Sequence, residues 1–300
     1  MTRSNMRSKL TLITLSDGKS IDASRKSIEG FIKYNGNNVI AVNTQHSVEF
    51  EKMCQGLGVN VYTPYKKFGY PSFPKEQYDD HVEFFYTTIL RPAMMAETEY
   101  IIFSEPDCIF NKTIDRNILD GSDIIVPTDR SSSKVMWAFQ TLWIGYGVND
   151  EERLKNINLF FDSLRDICKN VNLDFDKASK NDMRFCFMAN SIIKTDRIIQ
   201  FYTREREAVT YLMQNITALA EKYRSKDDRI QKVFSNFCIN FSPDQIFSII
   251  FGLYLFKWKV NENGQNCNAK DFKTEDDLKN FLNRYPDTEY IHSCKLYYNK

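Results

Sequence analysis

The stretch LTLITLS, Leu10 to Ser16, is followed by NVIAVN at Asn38 to Asn43 and by VNVYTP at Val59 to Pro64. Each is a short run dominated by aliphatic and β-branched residues, with the length and composition of a strand buried on both faces. Between the first two, Ile21, Ile28, Phe31 and Ile32 recur at helical spacing and stop at Asn35-Gly36, a pair that ends helices. Between the second and third, VEFEKMCQGLG (Val48 to Gly58) reads as another helix, closed by glycine. The β-α-β-α-β order predicts an α/β fold, a mainly parallel central sheet with helices on both faces. In such sheets ligands gather at the carboxyl ends of the strands.

Working outward, a loop rich in Tyr, Pro, Lys and Gly (Thr63 to Tyr78) leads to a helix over about His81 to Ala96 and then to YIIFSEPDCIF, Tyr100 to Phe110. Here an apolar strand runs straight into two carboxylates, Glu105 and Asp107, and then resumes as Cys108, Ile109 and Phe110. Acids at the end of a core strand are costly unless they are paired or bound to a cation, so the placement suggests a hard-metal site. A metal there could clamp a diphosphate and neutralise a departing nucleotide. The alternative is a surface turn with two solvated acids.

Beyond this segment come a strand at DIIVP (Asp123 to Pro127) and the aromatic run WAFQTLWIGYGV. Trp137, Phe139, Trp143 and Tyr146 in that run suit either a sugar-stacking wall or the buried face of a strand. The rest turns more helical, with helices expected over Asp150 to Lys169, over Arg204 to Arg224 and after Ser242-Pro243-Asp244. Neither a repeat nor a convincing linker interrupts the chain, and a single domain over residues 1–300 is expected. The dinucleotide fingerprint is missing, because Ser16-Asp17-Gly18 is followed by no further glycines, and no GxxxxGK[ST] loop occurs. Dehydrogenase and phosphate-loop NTPase readings lose their support.

Composition narrows the class further. With 300 residues, 42% hydrophobic and 14% aromatic, the chain can bury a large core. A formal charge of +1 argues against the broad basic footprint of a nucleic-acid binder. No stretch is long enough in apolar residues to span a membrane. The seven cysteines form no CxxC pair and no disulfide framework, which favours a reducing, cytoplasmic setting.

The strand-acid-x-acid-strand pattern after a β-α-β-α-β start resembles the DxD region of GT-A glycosyltransferases, with Glu105 in place of the usual first aspartate. That resemblance implies a GT-A sheet, with residues 1–110 as the nucleotide-binding half and 111–300 as the acceptor side. It implies that Asp107 contacts Mn²⁺ or Mg²⁺ while Glu105 faces the donor's ribose or sugar. Thr14, Ser16 and Asp17 at the end of the first strand, and Asn43 at the end of the second, fall where the family's base and ribose lie. Arg91, in FFYTTILRPAMM, matches a basic residue turned toward the donor, although it also reads as an ordinary surface arginine before Pro92. In YIHSCKLYY, His292 is similar to a late histidine that completes the metal shell, and Lys295 could reach a phosphate.

FMANSIIKTDRIIQFY (Phe187 to Tyr202) followed by NFSPDQIFSIIFGLYLFKWKV (Asn240 to Val260) resembles the second half of inverting members, an acceptor strand and then an acid opening a helix. Asp244 is then the candidate base that deprotonates the acceptor hydroxyl. Ser242-Pro243-Asp244 is equally an ordinary helix start, and Asp244-Gln245 also looks like a pair found in retaining members. The implied activity is metal-dependent transfer of a hexosyl or pentosyl group to an acceptor hydroxyl on a glycan or glycoprotein. UDP-sugars are the first expected donors and GDP-sugars the next. Three alternatives stay open: a retaining transferase, a sugar nucleotidyltransferase, and a module that binds nucleotide sugars without turnover. Against the second, LSDGKSIDASRK carries one glycine where a glycine-rich loop is needed.

Overall fold

Among the described residues, nine strands join in one sheet in the order β3-β2-β1-β4-β7-β6-β8-β9-β5. The computed structural model describes residues 9–16, 20–68, 78–129, 149–178, 190–223, 243–267, 271–292 and 294–297. The strands are β1 (Leu10–Leu15), β2 (Val39–Val42), β3 (Asn60–Tyr62), β4 (Tyr100–Ser104), β5 (Ile109–Phe110), β6 (Ile124–Asp129), β7 (Ile192–Lys194), β8 (Trp258–Asn266) and β9 (Tyr290–His292). The pairings β1–β2, β2–β3, β1–β4, β6–β8 and β8–β9 are parallel. β7 runs antiparallel to both β4 and β6, and β5 antiparallel to β9. All strands but β7 and β5 therefore point the same way, and the expected mainly parallel α/β architecture is the one observed.

Side-chain alternation explains why both faces are covered. Leu12, Ala41, Ile102, Ile125 and Ile192 point into one core with Ile28, Phe31, Phe50 and Met53. Those last four come from α1 (Ile21–Asn35) and α2 (Val48–Gly56). Ile13, Ile40, Ile101, Ile124 and Ile193 point into the opposite core. That face is packed by α3 (Tyr78–Phe85), α4 (Arg91–Met95), α5 (Asp150–Lys169), α6 (Thr195–Tyr223) and α7 (Pro243–Leu253). Every residue of β1, β2 and β4 is buried, which is why these strands are continuous apolar runs rather than alternating ones. A third, smaller cluster of Cys267, Phe272, Leu278, Ile291, Cys294 and Leu296 lies under α8 (Glu275–Arg284).

Local signals set several boundaries. α1 ends at Gly36, whose φ of 101° suits glycine and whose N–H donates to Ile32 O. α2 starts at Ser47, whose hydroxyl accepts from Phe50 N. The helix expected over about 81–96 is broken into α3, a π-turn at Tyr86–Leu90 and α4. Pro92 sits in the first turn after the π-turn and has no N–H for an i−4 carbonyl, so the widened turn falls where the regular ladder must fail.

Two expectations need correction. α6 begins at Thr195, well before Arg204, and takes in the second half of the segment read as an acceptor strand. Among the described residues of that segment, Ile192–Lys194 is strand. The aromatic run from Trp137 to Val148 lies outside the described residues. Among the described residues no helix is long and apolar enough to cross a membrane.

Candidate metal centre

β4 delivers its chain to the carboxyl edge of the sheet and ends there at Ser104. Ser104 Oγ donates to Glu105 O at 2.9 Å, and a tight turn closes with Cys108 N to Glu105 O at 3.4 Å. The turn presents Glu105 and Asp107 together, and the chain leaves as β5. β5 pairs with β9, Ile109 opposite Ile291, so the end of β9 lies beside the turn. Cys294 N donates to Asp107 O at 2.9 Å and ties the residues after β9 to the acidic turn.

This brings three side chains from distant parts of the sequence to one point. His292 Nε2 lies 3.5 Å from Glu105 Oε2 and 3.7 Å from Asp107 Oδ1. One ligand atom from each residue falls within 4.8 Å of the others. Asp107 is 4% exposed and His292 9%, while the Glu105 side chain is 23% exposed, so two of the three groups are largely withdrawn from water. Two carboxylate oxygens and an imidazole nitrogen suit a divalent ion that accepts mixed O/N ligation, such as Mn²⁺. On this donor chemistry the residues fit a metal ion, with Glu105 as a third ligand candidate beside the expected Asp107 and His292. Behind the imidazole, Asn266 Oδ1 lies 2.8 Å from His292 Nδ1.

The other expected residues fall into distinct settings. Thr14 and Ser16 are buried at the carboxyl end of β1, and Ser16 O accepts from the Thr44 hydroxyl. Asn43 uses both ends of its amide on one neighbour: Nδ2 donates to Ser47 O at 3.0 Å and Oδ1 accepts from Ser47 N at 2.8 Å. Its side chain therefore builds the entry to α2. Arg91 is exposed, with its guanidinium 5.7 Å from the centroid of the Tyr86 ring, and its described contacts do not reach the acidic turn. Asp17 lies outside the described residues, as do the side chains of Asp244 and Lys295. The backbone of Asp244 is in the first turn of α7, and that of Lys295 opens a 3₁₀ turn, Lys295–Tyr297.

Asn190 was not among the residues singled out from sequence. It is fully buried, has φ of 70°, and neither amide atom has a hydrogen-bond partner. Its N–H donates to Phe103 O, and Phe103 N donates to Ser191 O at 3.3 Å. Continuing the β4–β7 register places Asn190 level with Ser104, which pairs with Thr14. A row of three buried polar residues thus crosses the sheet beside the acidic turn. Thr14 Oγ1 in that row also lacks a partner. Unsatisfied buried groups and left-handed backbone at a non-glycine residue both cost free energy, and such costs concentrate at functional sites.

Glu289, one residue before β9, is a buried carboxylate at 3% exposure. Its Oε1 accepts from Asp115 N at 2.9 Å and its Oε2 from Asn261 Nδ2 at 2.8 Å. Its carbonyl accepts from Asn111 N at 2.8 Å and Lys112 N at 3.1 Å. One residue therefore clamps β8, β9 and the segment after β5, the strands that hold the metal-centre residues.

No protein-family model matches the chain, and no curated protein matches it. Among solved structures, it superposes on core-mannan synthase A from Aspergillus fumigatus in its Mn/GDP form with a TM-score of 0.42 at 13% identity, covering 87% of this chain and 74% of that one. Glucosyl-3-phosphoglycerate synthase from Mycobacterium tuberculosis, solved with Mn²⁺ and UDP-glucose, gives 0.34 at 11% identity over 63% of this chain and 57% of that one. TarS 1–349 from S. aureus, solved with UDP-GlcNAc, gives 0.34 at 11% identity over 69% and 53%. The chain thus spans little more than half the length of the last two. All three scores lie below 0.5.

Proposed function

We propose that the chain is a metal-dependent glycosyltransferase that takes a nucleoside-diphosphate sugar as donor. The observation that carries this reading is the convergence of Glu105, Asp107 and His292 within 4.8 Å at the carboxyl edge of a mainly parallel sheet, where such folds bind nucleotides. A divalent ion held there would offset the charge of a diphosphate leaving group. Glu105 and Asp107 supply oxygens and His292 a nitrogen, and the burial of Asp107 and His292 keeps water from competing for the site. UDP-sugars are the first donors to test and GDP-sugars the next, with a glycan or glycoprotein hydroxyl as acceptor.

Asp244 is the proposed general base of an inverting transfer. Its backbone lies in the first turn of α7, and the reading rests on the need for a carboxylate to take the acceptor's proton as the glycosidic bond forms. Release of nucleoside diphosphate from a panel of UDP- and GDP-sugars, with Mn²⁺ and with chelator, tests the activity. Metal-dependent turnover of one donor is expected, and no turnover of any donor with or without candidate glycans would contradict the proposal. Asp244→Asn is expected to keep donor affinity within about threefold while transfer falls roughly 100-fold or more. Transfer near the wild-type rate would remove Asp244 as the base.

A further inference from the structure

We propose that Asn266 is a positioning residue that fixes the ring of His292 with the Nε2 lone pair directed at the Glu105 and Asp107 carboxylates, where a metal ion would bind. The inference rests on the metal-centre reading above. Asn266 is the last residue of β8, 5% exposed, and it stands directly opposite His292 in the β8–β9 register. A neutral imidazole carries one N–H and one lone pair, and the partner of one nitrogen decides the role of the other. With Asn266 Oδ1 at 2.8 Å accepting from Nδ1–H, the lone pair sits on Nε2. That nitrogen faces Glu105 Oε2 and Asp107 Oδ1. A lone pair aimed at two carboxylate oxygens is an arrangement that a cation between them resolves.

The path of β8 reinforces the assignment. Its register against β6 jumps from Pro127 opposite Asn261 to Thr128 opposite Gln265, so a bulge absorbs residues 262–264. Asn263 N donates to Asn261 Oδ1 at 3.0 Å, Gln265 Nε2 to Glu262 O at 2.6 Å, and Glu289 N to Asn263 O at 2.9 Å. Gly264 is required there, because a Cβ would lie 2.4 Å from the Tyr290 ring. Beyond this bulge, Gln265 and Asn266 run level with Ile291 and His292. Bulges beside active sites commonly re-aim a side chain in this way. The partner is a neutral amide, whose carbonyl oxygen fixes the orientation of the ring as outer-shell partners of metal-binding histidines do.

Two measurements on the full chain test this. Mn²⁺ affinity, read by electron paramagnetic resonance, is expected to fall about 10- to 100-fold in Asn266→Leu. In Asn266→Asp, which keeps an acceptor, it is expected to match or exceed the wild type. In the metal-free wild type, ¹⁵N spectra of labelled histidine are expected to show His292 protonated at Nδ1, with His292→Gln assigning the signal. Asn266→Leu affinity equal to wild type, or equal losses in the Leu and Asp variants, would overturn the inference, as would protonation at Nε2 in the wild type. If the Leu variant does not fold, the Asp variant and the wild-type tautomer decide it. Absence of Mn²⁺ binding by the wild type, with the Nδ1–H tautomer present, would overturn the metal reading and leave the Asn266 contact standing.

Discussion

Glu289 Oε2 accepts a 2.8 Å hydrogen bond from Asn261 Nδ2, and this buried pair joins the strand that carries His292 to the strand that carries Asn266. Glu289→Ala would strip partners from the Asn261 amide and from Asp115 N–H. Hydrogen bonds to charged groups contribute more than neutral ones, so the variant is expected to lose about 3 kcal/mol. A fall of several degrees in melting temperature checks this. An unchanged melting temperature would mean that the clamp contributes nothing.

Asn190 makes the opposite prediction. Glycine at this position tolerates φ of 70° and removes an amide that is buried without partners. Asn190→Gly is therefore expected to melt at or above the wild-type temperature. Donor turnover is expected to fall roughly tenfold as the buried polar row beside the acidic turn loses this amide. A lower melting temperature with full turnover would assign Asn190 to structure alone.

Burial pushes the thiols of Cys54, Cys168 and Cys294 up from 9.0 to about 12, and that of Cys108 well above its usual range. A folded-state value above the unfolded one gives stability that is fully present below about pH 9 and lost as pH rises toward about 12. Each thiol contributes a slope of up to about 1.4 kcal/mol per pH unit in that window. The urea midpoint is expected to hold to about pH 8 and to drop steadily above about pH 9. Alkylation of native protein at about pH 8 is expected to spare these four cysteines. Ready labelling of any of them would contradict their burial.

The first half of the fold was legible because β1, β2 and β4 are buried on both faces, and such strands advertise themselves as unbroken apolar runs. The acidic turn was legible for the same reason, since Glu105 and Asp107 interrupt one of those runs. β8 was not, because WKVNENGQN spends its polar residues on a bulge and on the site, and so resembles a loop. α8 carries a start signal that sequence does show, the Thr274/Asp277 capping box. The early start of α6 was hidden because Ile192-Ile193 and Ile198-Ile199 look alike over a short window, whether strand or helix. Sequence could nominate His292 but could not place it beside Asp107, since that contact depends on β9 pairing with β5 across the width of the chain. Asn190 gave no sequence signal, although asparagine is among the few non-glycine residues that adopt left-handed backbone readily.

The most direct test of the central claim is a calorimetric titration of UDP, GDP and CMP into the full chain, with and without Mn²⁺, repeated on Asp107→Ala. Tight binding of one diphosphate nucleotide that requires Mn²⁺, and that weakens at least about 100-fold in the variant while its fold persists, is the expected result. Absence of binding by all three, or binding indifferent to both metal and Asp107, would contradict the account.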